Sequence, residues 1–188
     1  MDCSLSTLLR GCLKQRVAIP SRRVALLIEG FPRPQHPIVE FAKLLFLLQE
    51  YRVKATFVVD WQEIRERGLG SSVGEMMKLL KHYEHEVAIK FKGDVCGARR
   101  LNQHMVEALH FMQRVYGITI ESVKVDHPLV TNREIFASHG LAVFNGGRDQ
   151  VVVQDTEYVV HDVALALRGT GGREWVRVNE LGVQKTCL

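Results

Sequence analysis

Several short apolar runs in this chain end in side chains able to do acid–base or metal chemistry. The run VALLIEG (24–30) ends in Glu29, and VKATFVVD (53–60) ends in Asp60. A third run leads into Lys90 and Asp94, a fourth into Asp126 and His127, a fifth into Asn145, and a short last one into His161 and Asp162. Carboxylates converging with histidines can hold a divalent cation, or can divide general-acid and general-base work between them. Convergence needs a scaffold that brings the ends of all these runs to one face.

The pattern between the runs predicts such a scaffold. Strand-like stretches at 24–29, 53–59, 85–91, 118–125 and 141–145 alternate with helical periods at 38–51, 75–83, 98–116 and 133–139. Phe41, Leu44, Leu45 and Leu48 make one stripe, and Leu101, Met105, Ala108, Leu109 and Met112 another, which Gly117 ends. Alternation of this kind implies parallel strands joined by crossover helices. The expected fold is therefore α/β, either a small or incomplete (β/α) barrel or an open doubly wound sheet, and in both the site lies at the carboxyl ends of the strands. Beyond Gly146 the pattern is weaker: short strands at 151–153 and 158–160, a helix at 163–168, then a Gly-rich loop and a tail from 174 that reads as a strand or an arm.

Composition narrows the class. With 188 residues, 46% hydrophobic and 24% charged, the chain suits one globular domain, and no apolar stretch reaches the roughly 20 residues of a membrane span. The net charge of +4 is spread thinly, so nucleic acid is an unsupported partner. Residues 1–22 form a basic arm with Arg10, Lys14, Arg16 and Arg22 against the single acid Asp2, a composition shared by a frayed terminus and by a mitochondrial or other organellar transit segment. Cys3, Cys12, Cys96 and Cys187 form no C-x-x-C pair, which favours a reducing, intracellular compartment. Residues 23–168 read as the folded domain and 169–188 as a Gly-rich loop and C-terminal arm.

From Arg23 to Asp162 the order of segments resembles the polysaccharide deacetylase (nodulation-type chitooligosaccharide deacetylase homology) domain. VALLIEGFP stands where that family has a strand ending T-F-D-D-G-P, and LLQEYRVKATFVV is similar to its helix and second strand. LLKHYEHEVAIKFKGD stands where it has G-H-E-I-x-x-H-x-x-x-H, VDHPLVTNREIFASHGLAVFN resembles its proline-rich loop, helix and strand, and YVVHD its closing L-L-H-D.

The resemblance implies roles position by position. Glu29 stands at the general base, Gly30 at a metal ligand, and Lys90 and Asp94 at the two histidine ligands, so Asp94 alone keeps a coordinating side chain. Lys90 sets a positive charge where the cation belongs. Asp126 stands at the arginine of R-P-P-Y with Pro128 retained, and His161 stands at the family's general acid.

Each of these residues also has a plainer reading. His161 can simply pack at a strand end, Asp162 can cap a helix, and Trp61, a candidate sugar-stacking residue beside Asp126, can be rim packing. Two functional classes follow. One is a catalytically inactive deacetylase-like domain acting as a binding or structural component with other protein subunits and no cofactor, Lys90 lying between Glu29 and Asp94. The other is a divergent hydrolase of carbon–nitrogen bonds, with Glu29 as base, His161 or His127 as acid, and a divalent metal such as zinc on Asp94, Asp126 and a histidine. Outside the family, Glu29, Asp60 and Asp126 around magnesium would suit a nuclease.

Overall fold

The computed structural model describes residues 22–30, 38–67, 71–91, 98–125, 130–145, 149–154, 159–169 and 173–181. In the first strand, β1 (Arg22–Glu29), Val24, Leu26 and Ile28 face one way and Ala25, Leu27 and Glu29 the other, and all six are buried. A strand covered on both faces reads as a continuous apolar run, which is the character of 24–29 in the sequence.

The remaining elements follow in the expected alternation: α1 (Ile38–Glu50), β2 (Thr56–Asp60), α2 (Trp61–Arg67), α3 (Ser71–His82), β3 (Glu86–Phe91), α4 (Ala98–Phe111), β4 (Ser122–Val125), α5 (Val130–Ser138), β5 (Ala142–Phe144), β6 (Gln150–Gln154), α6 (Val159–Arg168) and β7 (Arg173–Val176). The strands pair in parallel in the order β5-β4-β3-β2-β1-β6. β6 lies along β1 from Ala25 to Glu29 on the edge away from β2, and β7 lies along its amino half on the other edge, below the start of β2, since Ala25 pairs with both Gln150 and Val176. Among the described strands β5 and β6 do not pair, so the sheet is a half-barrel with crossover helices, the incomplete (β/α) barrel of the two expected forms.

Two cores result. The larger lies between sheet and helices and contains Leu26, Ile28, Phe41, Leu44, Phe57, Met76, Leu80, Ile89, Met105 and Phe136. The smaller fills the inner wall with Ala25, Leu27, Val58, Ala88, Phe144 and Val178. Among the described residues no helix is long and apolar enough to cross a membrane.

The helices return to the sheet through one repeated turn. After α1, α3 and α5 the residues Arg52, Glu84 and Gly140 take positive φ, and paired backbone bonds close each turn, as in Val53 N–H to Leu48 O at 2.9 Å and Arg52 N–H to Gln49 O at 3.0 Å. Only the third turn uses glycine, so the first two carry no glycine signal in the sequence. α4 instead runs into a π-helical turn (Met112–Tyr116) that Gly117 ends with φ 62°, at the glycine the sequence marks as the stop.

Three expectations are corrected. α2 occupies a stretch for which the sequence predicts no helix; Asp60 Oδ1 starts it by accepting from the N–H groups of Gln62 (2.9 Å) and Glu63 (3.2 Å). β4 opens at Ser122 rather than 118, leaving Ile118 and Ile120 as buried loop residues. The expected strand at 158–160 is absent at its described residues, because Val159 and Val160 already belong to α6, whose buried Val159, Val163 and Leu167 follow the helical repeat.

Residues from the stretch read as a C-terminal arm complete the inner wall. β7 pairs with β1, and a 3-10 turn (Val178–Leu181) then buries Val178 in the smaller core. The turn is held by Glu86, a buried carboxylate at the start of β3. Its oxygens accept from Thr56 Oγ1 (2.6 Å), Ser122 Oγ (2.6 Å) and the N–H of Val178 (2.9 Å), while Asn179 Nδ2 donates to Glu121. Glu86→Gln sets an NH2 group against these donors and should lower the unfolding free energy by about 2 kcal/mol in urea titrations. Hydrogen exchange at Val178 and Asn179 should quicken in that variant, and unchanged exchange with an unchanged midpoint would contradict the role given to Glu86.

Next to Glu86, His85 is buried with its ring edge on Phe57 at a centroid separation of 5.5 Å, and its Nδ1 accepts the Ala55 N–H at 3.2 Å. Burial, and then the nearby Lys54 charge, lower its pKa from 6.5 to about 4. The folded ring therefore holds a proton less tightly than the unfolded one. Its contribution is complete above pH 6.5 and is lost as the pH falls from there towards 4, a loss on the order of 3 kcal/mol. Across that window the urea midpoint should drop more steeply for the wild type than for His85→Asn; parallel profiles would refute the assignment.

Candidate functional site

The carboxyl ends of the strands gather charge on the inner wall. Glu29 ends β1 on the same face as Ala25 and Leu27 and is 6% exposed. β4 alternates in the same manner: Val123 and Val125 join the outer core, which turns Ser122 and Lys124 inward, and Lys124 is 9% exposed. Lys124 Nζ donates a hydrogen bond to Glu29 Oε1, making a buried ion pair, and Gln154 Nε2 of β6 lies 3.5 Å from Glu29 Oε2. Since β2 and β3 lie between β1 and β4, the pair spans the half-barrel rather than joining neighbouring strands.

Beside the pair runs a row of in-register residues, Asp60, Lys90, Lys124 and Phe144, one on each strand from β2 to β5. Acids and lysines therefore meet around the mouth. Lys124 is bonded to Glu29, a cation that the inactive-domain reading does not name, since it sets Lys90 between Glu29 and Asp94; the alternation of SVKV turns Lys124 inward, and its stem reaches across the wall. The sequence signals that Lys124 needs a counter-ion, but not which one. A lysine inside a strand otherwise buried on both faces must find a counter-ion on one of them.

The other candidates are dispersed. Gly30 follows Glu29 at φ 84° and offers no side chain to a metal. Asp60 shares the row with Lys90 while capping α2. Trp61 is 4% exposed and packs on Phe111 at a centroid separation of 5.8 Å within the outer core, so it presents no open ring to a sugar. Its position as the first residue of α2 turns it under that helix. His161 and Asp162 are exposed in the first turn of α6, where the helical repeat places them instead of at a strand end. Asp94, Asp126 and His127 lie outside the described residues.

Among the described residues, no group of three or more His, Cys, Asp and Glu side chains that could hold a metal ion comes together. Glu29, at the general-base position, is bonded to an ammonium, the adjoining ligand position is Gly30, and a second lysine shares the row. A cation placed there would face two ammonium groups across a wall with little water to screen them.

No family model matches the sequence, and no curated protein matches it either. Solved structures do match. The Xyl-CE4 domain of a multidomain xylanase from the hindgut metagenome of Trinervitermes trinervoides is similar over 86% of this chain and 89% of that one, with a TM-score of 0.66 and 15% identity. A family 4 acetyl xylan esterase from Clostridium thermocellum, solved with a cobalt ion, matches over 87% and 93% with a TM-score of 0.61 and 17% identity. A CE4 family pseudoenzyme from Bacillus anthracis matches over 88% and 66% with a TM-score of 0.66 and 11% identity. The fold is thus that of the CE4 carbohydrate esterases.

Breaking a buried pair costs more than replacing both partners. Glu29→Gln and Lys124→Met should each lower the unfolding free energy by about 3 kcal/mol, and the double variant by less than their sum, giving a coupling above about 1 kcal/mol. Additive losses in a denaturant double-mutant cycle would show that the two groups do not interact.

Proposed function

We propose that this chain is a catalytically inactive polysaccharide-deacetylase-like domain serving as a binding or structural component of a larger protein assembly. The observation that carries the reading is the Lys124 ammonium on Glu29. A general base must offer a lone pair to the proton it removes. Glu29 has one oxygen bonded to Lys124, the other beside Gln154, and little exposure to the water it would activate.

Two further features support it. The same fold occurs in a protein described as a CE4 family pseudoenzyme, so this architecture is compatible with loss of activity. On the outside, α1 and α6 pack together and expose Val39, Phe46 and Leu165, with Phe46 69% exposed, apolar surface of the kind protein partners cover. The hydrolase alternative, with Glu29 as base and His161 as acid, requires Glu29 to be released from Lys124.

The test combines metal, turnover and assembly. Elemental analysis of the purified chain should find no stoichiometric zinc, cobalt or magnesium, and adding each should leave the thermal midpoint unchanged. Acetate release from acetylated chitooligosaccharides and xylan should not exceed that of Glu29→Ala. In native extract the chain should migrate above its 21.4 kDa monomer mass. Stoichiometric metal, or turnover that Glu29→Ala abolishes, would overturn the inactive reading, and migration as a monomer would overturn the assembly role.

A further inference from the structure

We propose that Glu29, flanked by the Gln154 amide that donates to its other oxygen, is a binding site for a primary ammonium ion, and that the chain supplies the occupant itself as Lys124. The inference rests on the proposed function only in taking Lys124 as the resident cation of the barrel mouth. The site's acceptor belongs to β1 and its flanking amide to β6, strands that pair with each other through Glu29 and Gln154. The ammonium comes from β4, which pairs with neither, so the site and its occupant are held by separate parts of the sheet.

The wall beneath is compatible with removing the stem. The inner core holds small Ala25 and Ala88 beside Val58 and Leu27, all fully or almost fully buried, and these strands pair through their own backbones. Losing the lysine stem therefore removes a charge and opens a cavity without breaking a ladder. A buried carboxylate stripped of its cation remains a strong acceptor in a medium that screens poorly. What fills it best is the group removed. Truncation of Lys124 at Cβ deletes three carbons and one nitrogen, the skeleton of n-propylammonium.

Lys90 is the nearest competitor, since it is the in-register neighbour of Lys124. Were it to swing onto Glu29, the truncated variant would neither lose stability nor respond to added amine.

The experiment is a thermal melt of Lys124→Ala titrated with n-propylammonium chloride. The midpoint should fall by about 10 °C relative to wild type, and the amine should restore at least half of that loss, saturably, while leaving the wild type unchanged. Propan-1-ol, which has the shape without the charge, and tetramethylammonium, which has charge but no N–H donor, should not restore it. Should Lys124→Ala fail to fold alone, refolding with n-propylammonium and not with the two controls tests the same site. Glu29→Gln/Lys124→Ala, lacking the carboxylate, should show no response. No recovery, equal recovery with propan-1-ol, a response in the double variant, or recovery by zinc or magnesium instead of the amine would each overturn the proposal. Turnover or metal in the wild-type chain would defeat the proposed function, whereas the amine response of the variant bears on the ammonium site alone.

Discussion

Placing a carboxylate on the inside of a half-barrel creates a demand that the rest of the wall must meet. Glu29 and Lys124 together cost several kcal/mol per ion to remove from water, and the return comes only if the two meet in good geometry. This constraint fixes what surrounds them. The strands between them carry small or slender inner residues, Val58 and Ala88, over which a long side chain can pass. It also fixes the register, because shifting β4 by one residue would turn Lys124 to the outer core and Val123 or Val125 to the mouth.

The opposite end of the barrel meets the same demand with different chemistry. Glu86 is also a buried carboxylate, but hydroxyls from β2 and β4 and backbone N–H groups from the 3-10 turn surround it. Neutral donors suffice where several converge, and the two hydroxyls are themselves held by strand pairing. The two acids thus tie β1 to β4 at one end, and β2, β3 and β4 to the C-terminal turn at the other. Without full closure into a barrel, these polar ties supply part of the cross-wall connection that further strands would otherwise give.

Much of this architecture is legible in the sequence, for physical reasons that also explain the gaps. The continuous apolar run of β1 and the stripe of Phe41, Leu44, Leu45 and Leu48 can be read because burial on both faces, or along one helical face, is written directly in residue type. The short α2 escapes such a reading because its start depends on Asp60, which as a strand-end carboxylate looks like chemistry and acts as a cap. His161 is misplaced by the β-branched pair Val159 and Val160, whose local preference yields to the packing of α6. At the mouth, Glu29 is recognisable from its place at the end of β1, whereas its pairing with Lys124 is not, since that partner lies three strands away and no local spacing encodes the distance.

The pairing of β1 with the last strands of the chain, one on each edge, has a consequence for how the molecule comes into being. Ala25 waits for Gln150, and Arg22 for Arg173, so the first strand made is the last to be completed. Joining ends so far apart carries a large loop-closure entropy, and until it happens β1 presents an unpaired, apolar edge to whatever is nearby. During synthesis from the amino end, that edge stands open through most of translation. The order of strands in this sheet therefore leaves one edge of β1 open until 150–154 has been made, and the segment at 173–181 is the last to close the inner wall.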